Sequence, residues 1–155
     1  MNHGDQSYFS FRQVSSKTYQ DFQLAGYLRS VLPSAKEAPI LDIGCGLGQV
    51  LQRLAEEGYS NLLGADVSAE AMEACRQKGL ATERIGDLED FCASSTRRFR
   101  LVMMSHVLEH LEKAAMIPVL KAIRTRLLDE EGRLLVVVPN AQSNTGCYWA
   151  YEDFT

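Results

Sequence analysis

Short apolar runs alternate with amphipathic stretches from residue 39 to residue 138. Residues 39–43 (PILDI), 61–65 (NLLGA), 80–84, 99–104 (FRLVMM) and 133–138 (RLLVVV) read as strands, the last of them strongly β-branched. Between the first two, Leu47, Val50, Leu51 and Leu54 share one helical face, closed by Gly58 at a C′ position. Ser68 caps a helix predicted to run to Lys78, with Gly79 ending it. Residues 87–94 suit a short helix, and a helix is expected to begin over 106–113. Pro118 is expected near the first turn of a further helix, with Met116, Leu120, Ile123 and Leu127 inside. Gly132 turns the chain into the last strand. Upstream, Leu24, Tyr27, Leu28 and Val31 mark a helical face within 17–32, and Pro33 and Pro39 bracket its exit. Residues 1–16 read as a polar arm carrying Tyr8, Phe9 and Phe11, and residues 139–155 as a loop.

Strands and helices that alternate in this way predict an α/β fold with a parallel sheet covered on both faces. The 155 residues suit about one domain and can bury a core without disulfide or metal staples. Sixteen basic and 20 acidic residues give a net charge of −4, so no global electrostatic reason exists to bind nucleic acid. The cysteines at 45, 75, 92 and 147 form no C-x-x-C pair, and the expectation is a reduced, cytoplasmic chain. The longest aliphatic run, Leu134 to Val138, is far short of a membrane span.

The chemistry concentrates in LDIGCGLGQVL. Asp42, Gly44, Gly46 and Gly48 lie between the first strand and the next helix, where glycines admit positive φ and a close ligand. The dinucleotide pattern G-x-G-x-x-G needs a third glycine at position 49, which is Gln49. A phosphate-binding Gly-Lys-Ser/Thr sequence is also absent from this loop.

The pattern Asp42-x-Gly44-x-Gly46-x-Gly48 resembles motif I of class I S-adenosylmethionine (SAM)-dependent methyltransferases, and the likeness continues over residues 38–140. That resemblance implies a Rossmann-like, doubly wound, mostly parallel sheet of order 3-2-1-4-5, with the family's strands 6 and 7 missing here. It implies residues 1–36 as an N-terminal arm and helix and residues 37–155 as the SAM-binding domain. Asp66 in GADVS would bind the ribose hydroxyls and Val67 flank the adenine, although Asp66 also stands where it can cap the next helix. Asp87 and Leu88 would meet the adenine edge, with helix-terminal charge as the other role open to Asp87. Ser105 and His106 in SHVLEHL would meet the methionine part and face the substrate. Cys45 would be a small loop residue beside the cofactor.

The resemblance implies methyl transfer from SAM, leaving S-adenosylhomocysteine (SAH), to a small-molecule or sugar- or lipid-linked acceptor. His106 is the candidate general base. A SAM-binding module inactive as this piece of chain is a second reading. A third is a zinc peptidase, since His106-Val-Leu-Glu109-His110 matches H-x-x-E-H, with Glu152 or Asp153 as further ligands. Arg97, Arg98 and Arg100 read as a solvated basic loop, and Tyr8, Phe9 and Arg12 could close over the cofactor. The last strand is expected to be an exposed edge open to self-association.

Overall fold

A single sheet runs through the molecule in the order β3-β2-β1-β4-β5, and all its pairings are parallel. The structure, a computed structural model, describes residues 22–140. In chain order the elements are α1 (Gly26–Arg29), β1 (Ile40–Ile43), α2 (Gln49–Glu56), β2 (Leu62–Asp66), α3 (Ala69–Gln77), β3 (Thr82–Arg84) and α4 (Leu88–Ser94). They continue with β4 (Phe99–Ser105), a 3-10 turn (Leu108–His110), α5 (Lys113–Ala122), a π-helical turn (Ile123–Leu127) and β5 (Leu128–Val137). The doubly wound Rossmann-like order expected from the sequence is therefore the observed one. The expectations placed on residues 1–16, on 141–155, and on Cys147 lie outside the described residues.

Strand periodicity divides the core. Leu41 and Ile43 of β1 point to one face, where α4 supplies Phe91 and Cys92, α5 Val119 and the π turn Ile123. Ile40 points to the other, against Leu24 just before α1, Leu28 of α1 and Leu54 of α2. A smaller cluster under the glycine loop joins Leu51 to Ala71, Met72 and Cys75 of α3. Each buried leucine truncated to alanine in such a core costs about 2–5 kcal/mol.

The helix ends follow the sequence closely. Ser68 Oγ accepts from Ala71 N at 3.2 Å, and Gly58 and Gly79 adopt φ of +91° and +73° past α2 and α3. Four details differ. Residues 108–110 form a 3-10 turn, and the α-helix begins only at Lys113, so no helix spans 106–113. Pro118 is the sixth residue of α5, inside the helix rather than in its first turn. The π turn after it re-phases the inner face, so that Val119, Ile123 and Leu127 are buried while Met116 and Leu120 are only half-buried. Tyr27 is exposed although its neighbours Leu24 and Leu28 are buried, because only Gly26–Arg29 is helical.

β5 starts five residues before its predicted origin. Phe99 pairs with Leu128 and Leu101 with Arg133, so Asp129–Gly132 bulge out of the ladder. A Cβ on Gly132 would sit 2.8 Å from the Phe99 carbonyl, which explains the glycine. The basic run before β4 is likewise not a free patch. Arg97 donates to Asn61, Arg98 donates to the carbonyls of Thr125 (2.7 Å) and Leu128 (3.1 Å), and Arg100 pairs with Asp129 and Glu131 across the bulge. Among the described residues no helix is long and apolar enough to cross a membrane.

Candidate functional site

The carboxyl ends of β1, β2 and β4 open into a cavity of about 1030 Å3. Parallel open sheets bind ligands at this end, where the strand order reverses beside β1. Its wall includes Asp42, Gly44, Cys45, Gly46, Asp66, Val67, Asp87, Leu88, Ser105 and His106. Ten of the eleven residues singled out for cofactor binding thus meet at one site; Gly48 does not line it.

The glycines have distinct duties. Gly44 has φ of +74°, donates to Ala65 O at 2.7 Å, and sits so close to Val107 Cγ2 that a Cβ there would collide. Gly48 has φ of +76° and is the N-cap of α2; a Cβ there would lie 2.6 Å from Leu80 Cδ1 and 2.7 Å from Cys75 Sγ. Gly44 therefore makes room for Val107 beside the loop, and Gly48 lets α2 pack onto α3.

Asp66 at the end of β2 accepts from Gly46 N through Oδ2 and from Ser68 N through Oδ1, both at 2.9 Å. Capping and cavity lining are thus combined in one carboxylate. Each oxygen keeps a second lone pair for a ligand hydroxyl. Asp87 repeats the arrangement: its Oδ1 caps α4 through Asp90 N at 3.0 Å while the residue lines the cavity. Beside them Val67 stands 61% exposed, an apolar surface for a flat ring.

Asp42 is 4% exposed and lines the cavity, and its carboxylate accepts no hydrogen bond among the described residues. Burial, reinforced by Cys75 and Asp66, pushes its carboxyl up to about 7. Cys45 is buried next to Cys75, whose thiol donates to Gly46 O at 3.4 Å. The hydrogen bond to Cys75, together with burial, holds the Cys45 thiol well above its ordinary range, so it is not a poised nucleophile.

His106 has φ of +56° and donates its backbone N–H to Val137 O at 2.9 Å. Its Nδ1 lies 3.1 Å from Glu109 Oε1. The zinc reading required His106 and His110 on one helix face. His106 instead precedes a 3-10 turn of which His110 is the last residue, and among the described residues no cluster of three or more metal-ligating side chains forms. Glu152 and Asp153 lie outside the described residues.

Two residues of the site escaped the sequence reading. Gln49, the first residue of α2, lines the cavity and buries an Oε1 that has no hydrogen-bond partner. Glu109 does not itself line the cavity and reaches it through His106, from which it is spaced by three residues. Among the described lining residues stand Asp42, Asp66, Asp87 and Glu89, and not one lysine or arginine.

A family model described as a methyltransferase domain matches residues 17–154. The chain belongs to the class I SAM-dependent methyltransferase family. Among its methyltransferase relatives, EEF1A lysine methyltransferase 2 of Danio rerio is 42% identical over 66 residues, covering 40% of this chain and 28% of that protein. A SAM-dependent methyltransferase structure from Archaeoglobus fulgidus superposes with a TM-score of 0.73 at 22% identity, covering 97% of this chain and 67% of the other. One from Mesorhizobium loti gives 0.56 at 26% identity, covering 71% and 50%. The chain thus spans little more than a quarter of the curated relative's length.

Proposed function

We propose that the cavity binds SAM and that the protein passes its methyl group to an acceptor, releasing SAH. The observation that carries the reading is the charge of the wall: four carboxylates and no lysine or arginine among the described residues. Such a wall favours a cationic ligand, with its sulfonium and ammonium groups, over the pyrophosphate of a dinucleotide. The fit has further support in the buried carboxylate of Asp42, which lacks a partner among the described residues.

In this reading Asp66 takes the ribose hydroxyls, Val67 and Leu88 enclose the adenine, and Asp87 meets its edge. Gly44, Cys45 and Gly46 pass beneath the methionine part, Asp42 faces its cationic end, and Ser105 and His106 stand where the acceptor enters. When bound, the cofactor supplies a methyl group already activated by positive sulfur. The protein's own contribution is then alignment and exclusion of water. The acceptor class we favour is a small molecule or a sugar- or lipid-linked one. The lysine methyltransferase relative is matched over too little of its length to argue for a protein acceptor instead.

Titration calorimetry on the whole chain tests the reading. SAH is expected to bind at micromolar level and NADH not at all. Heat from NADH with none from SAH would transfer the site to the dinucleotide class. Tight SAH binding without methyl transfer to any acceptor pool would leave a SAM-binding module.

A further inference from the structure

We propose that Glu109 and His106 form a proton-accepting pair at the cavity wall. Glu109 is the positioning residue, and His106 Nε2 takes the proton that the methyl acceptor loses. The inference rests on the methyl-transfer reading above and adds a requirement on the acceptor: its nucleophile carries an O–H or N–H hydrogen.

Three features set the pair apart from a histidine that merely packs or is solvated. The first is backbone geometry. His106 is the one non-glycine residue with positive φ among the described residues, and its N–H is tied to Val137 O at the end of β5. A side chain rarely accepts that conformation without an enforcing structure around it. Here β5 and the 3-10 turn hold it and set the imidazole at the cavity wall.

The second feature is the asymmetry of the pair. The Glu109 side chain is 10% exposed and the His106 side chain 57%. The carboxylate is thus anchored in the protein while the imidazole reaches into the open cavity. An ionised carboxylate only accepts, so the nitrogen facing it, Nδ1, carries the ring hydrogen. Nε2 is left with its lone pair toward the cavity, which is the form a general base needs.

The third is that the three aspartates of the wall are otherwise placed. Asp66 uses both oxygens on backbone amides, Asp87 caps α4, and Asp42 is buried. In the transfer step the acceptor's heteroatom forms its bond to the methyl carbon. The carbon–sulfur bond breaks and its electron pair stays on sulfur as the thioether. The acceptor's proton passes to Nε2, Glu109 balances the imidazolium, and water removes the proton through the exposed side.

Long-range proton–nitrogen correlation spectra of the 15N-labelled whole chain near pH 8 read the tautomer directly. His106→Asn, a residue that tolerates positive φ, identifies the His106 signals by their loss. The expected result is a predominant Nδ1–H tautomer with unprotonated Nε2, and loss of that preference in Glu109→Gln. If Glu109→Gln unfolds, as circular dichroism would show, Glu109→Asp replaces it, and the withdrawn carboxylate is expected to weaken the preference. A predominant Nε2–H tautomer in the wild type, or a preference untouched by the Glu109 variants, overturns the pair. SAH calorimetry on the wild type separates the two layers. Absent SAH binding overturns the methyl-transfer reading whatever the tautomer, whereas SAH binding with the wrong tautomer overturns only the pair.

Discussion

Gly46 N–H donates to Asp66 Oδ2 across 2.9 Å, joining the loop after β1 to the end of β2. The same carboxylate takes Ser68 N–H, so one side chain fixes both walls of the cavity. Asp66→Ala is therefore expected to weaken SAH binding by about 1–3 kcal/mol, roughly 5- to 150-fold, through lost charge-assisted hydrogen bonds. It should also lower folding stability, since two amides lose their acceptor. Calorimetry and urea unfolding on one preparation separate the effects. Reduced stability with unchanged affinity would make Asp66 a cap and nothing more.

Asp42 predicts a pH dependence whose sign is fixed by burial. Its folded carboxyl is raised from 3.8 to about 7, so the folded chain holds a proton that the unfolded chain has released. The stability it contributes is present below about pH 4 and is lost as pH rises toward 7, on the order of 4 kcal/mol in all. Asp42→Asn should remove this slope and leave a chain less sensitive to pH over that range. Unfolding free energies from pH 4 to 8 check this, and parallel profiles for the two proteins would contradict it. A cationic ligand at Asp42 would also expel the proton, which calorimetry in buffers of different ionisation enthalpy detects.

Gly44 and Val107 form a steric pair. A Cβ on Gly44 collides with Val107 Cγ2, and the φ of +74° adds strain. Gly44→Ala should destabilise the chain by about 1–3 kcal/mol. Adding Val107→Ala should restore part of this, since the clash is relieved and the dihedral strain is not. A double-mutant cycle measures the coupling. Strict additivity would mean that the contact does not decide the glycine.

Pro118 lies inside α5, where its missing N–H leaves the Ala114 carbonyl without a helical partner. It is solvent-exposed, so Pro118→Ala is expected to stabilise the chain, by up to about 3 kcal/mol in urea unfolding. A loss of stability would instead assign the proline to the helix geometry that carries the chain into the π turn.

Local sequence determined much of this protein. Short apolar runs and helical-period patterns marked the strands around Ile40–Ile43 and Phe99–Ser105 and the helices between, because burial within a covered sheet or on a helix stripe selects side chains directly. Ser68, Gly58 and Gly79 ended their helices where expected, since caps act within a few residues. The glycine pattern and Asp66 were legible because the loop after a buried strand has few uses for three alternate glycines.

Tertiary structure decided the rest. Gly48 belongs to helix packing, because only folding brings Leu80 and Cys75 against it. The bulge before Arg133 depends on Arg100 facing Asp129 and Glu131 across strands. The basic run became a set of fasteners once the carbonyls of Thr125 and Leu128 came within reach. The raised carboxyl of Asp42 and the pairing of His106 with Glu109 arise from burial and from a left-handed backbone. Such properties depend on what surrounds a side chain in space. Sequence spacing alone gives the residues that can meet there, and the fold decides which of them lose water, which gain partners, and which stay open to a ligand.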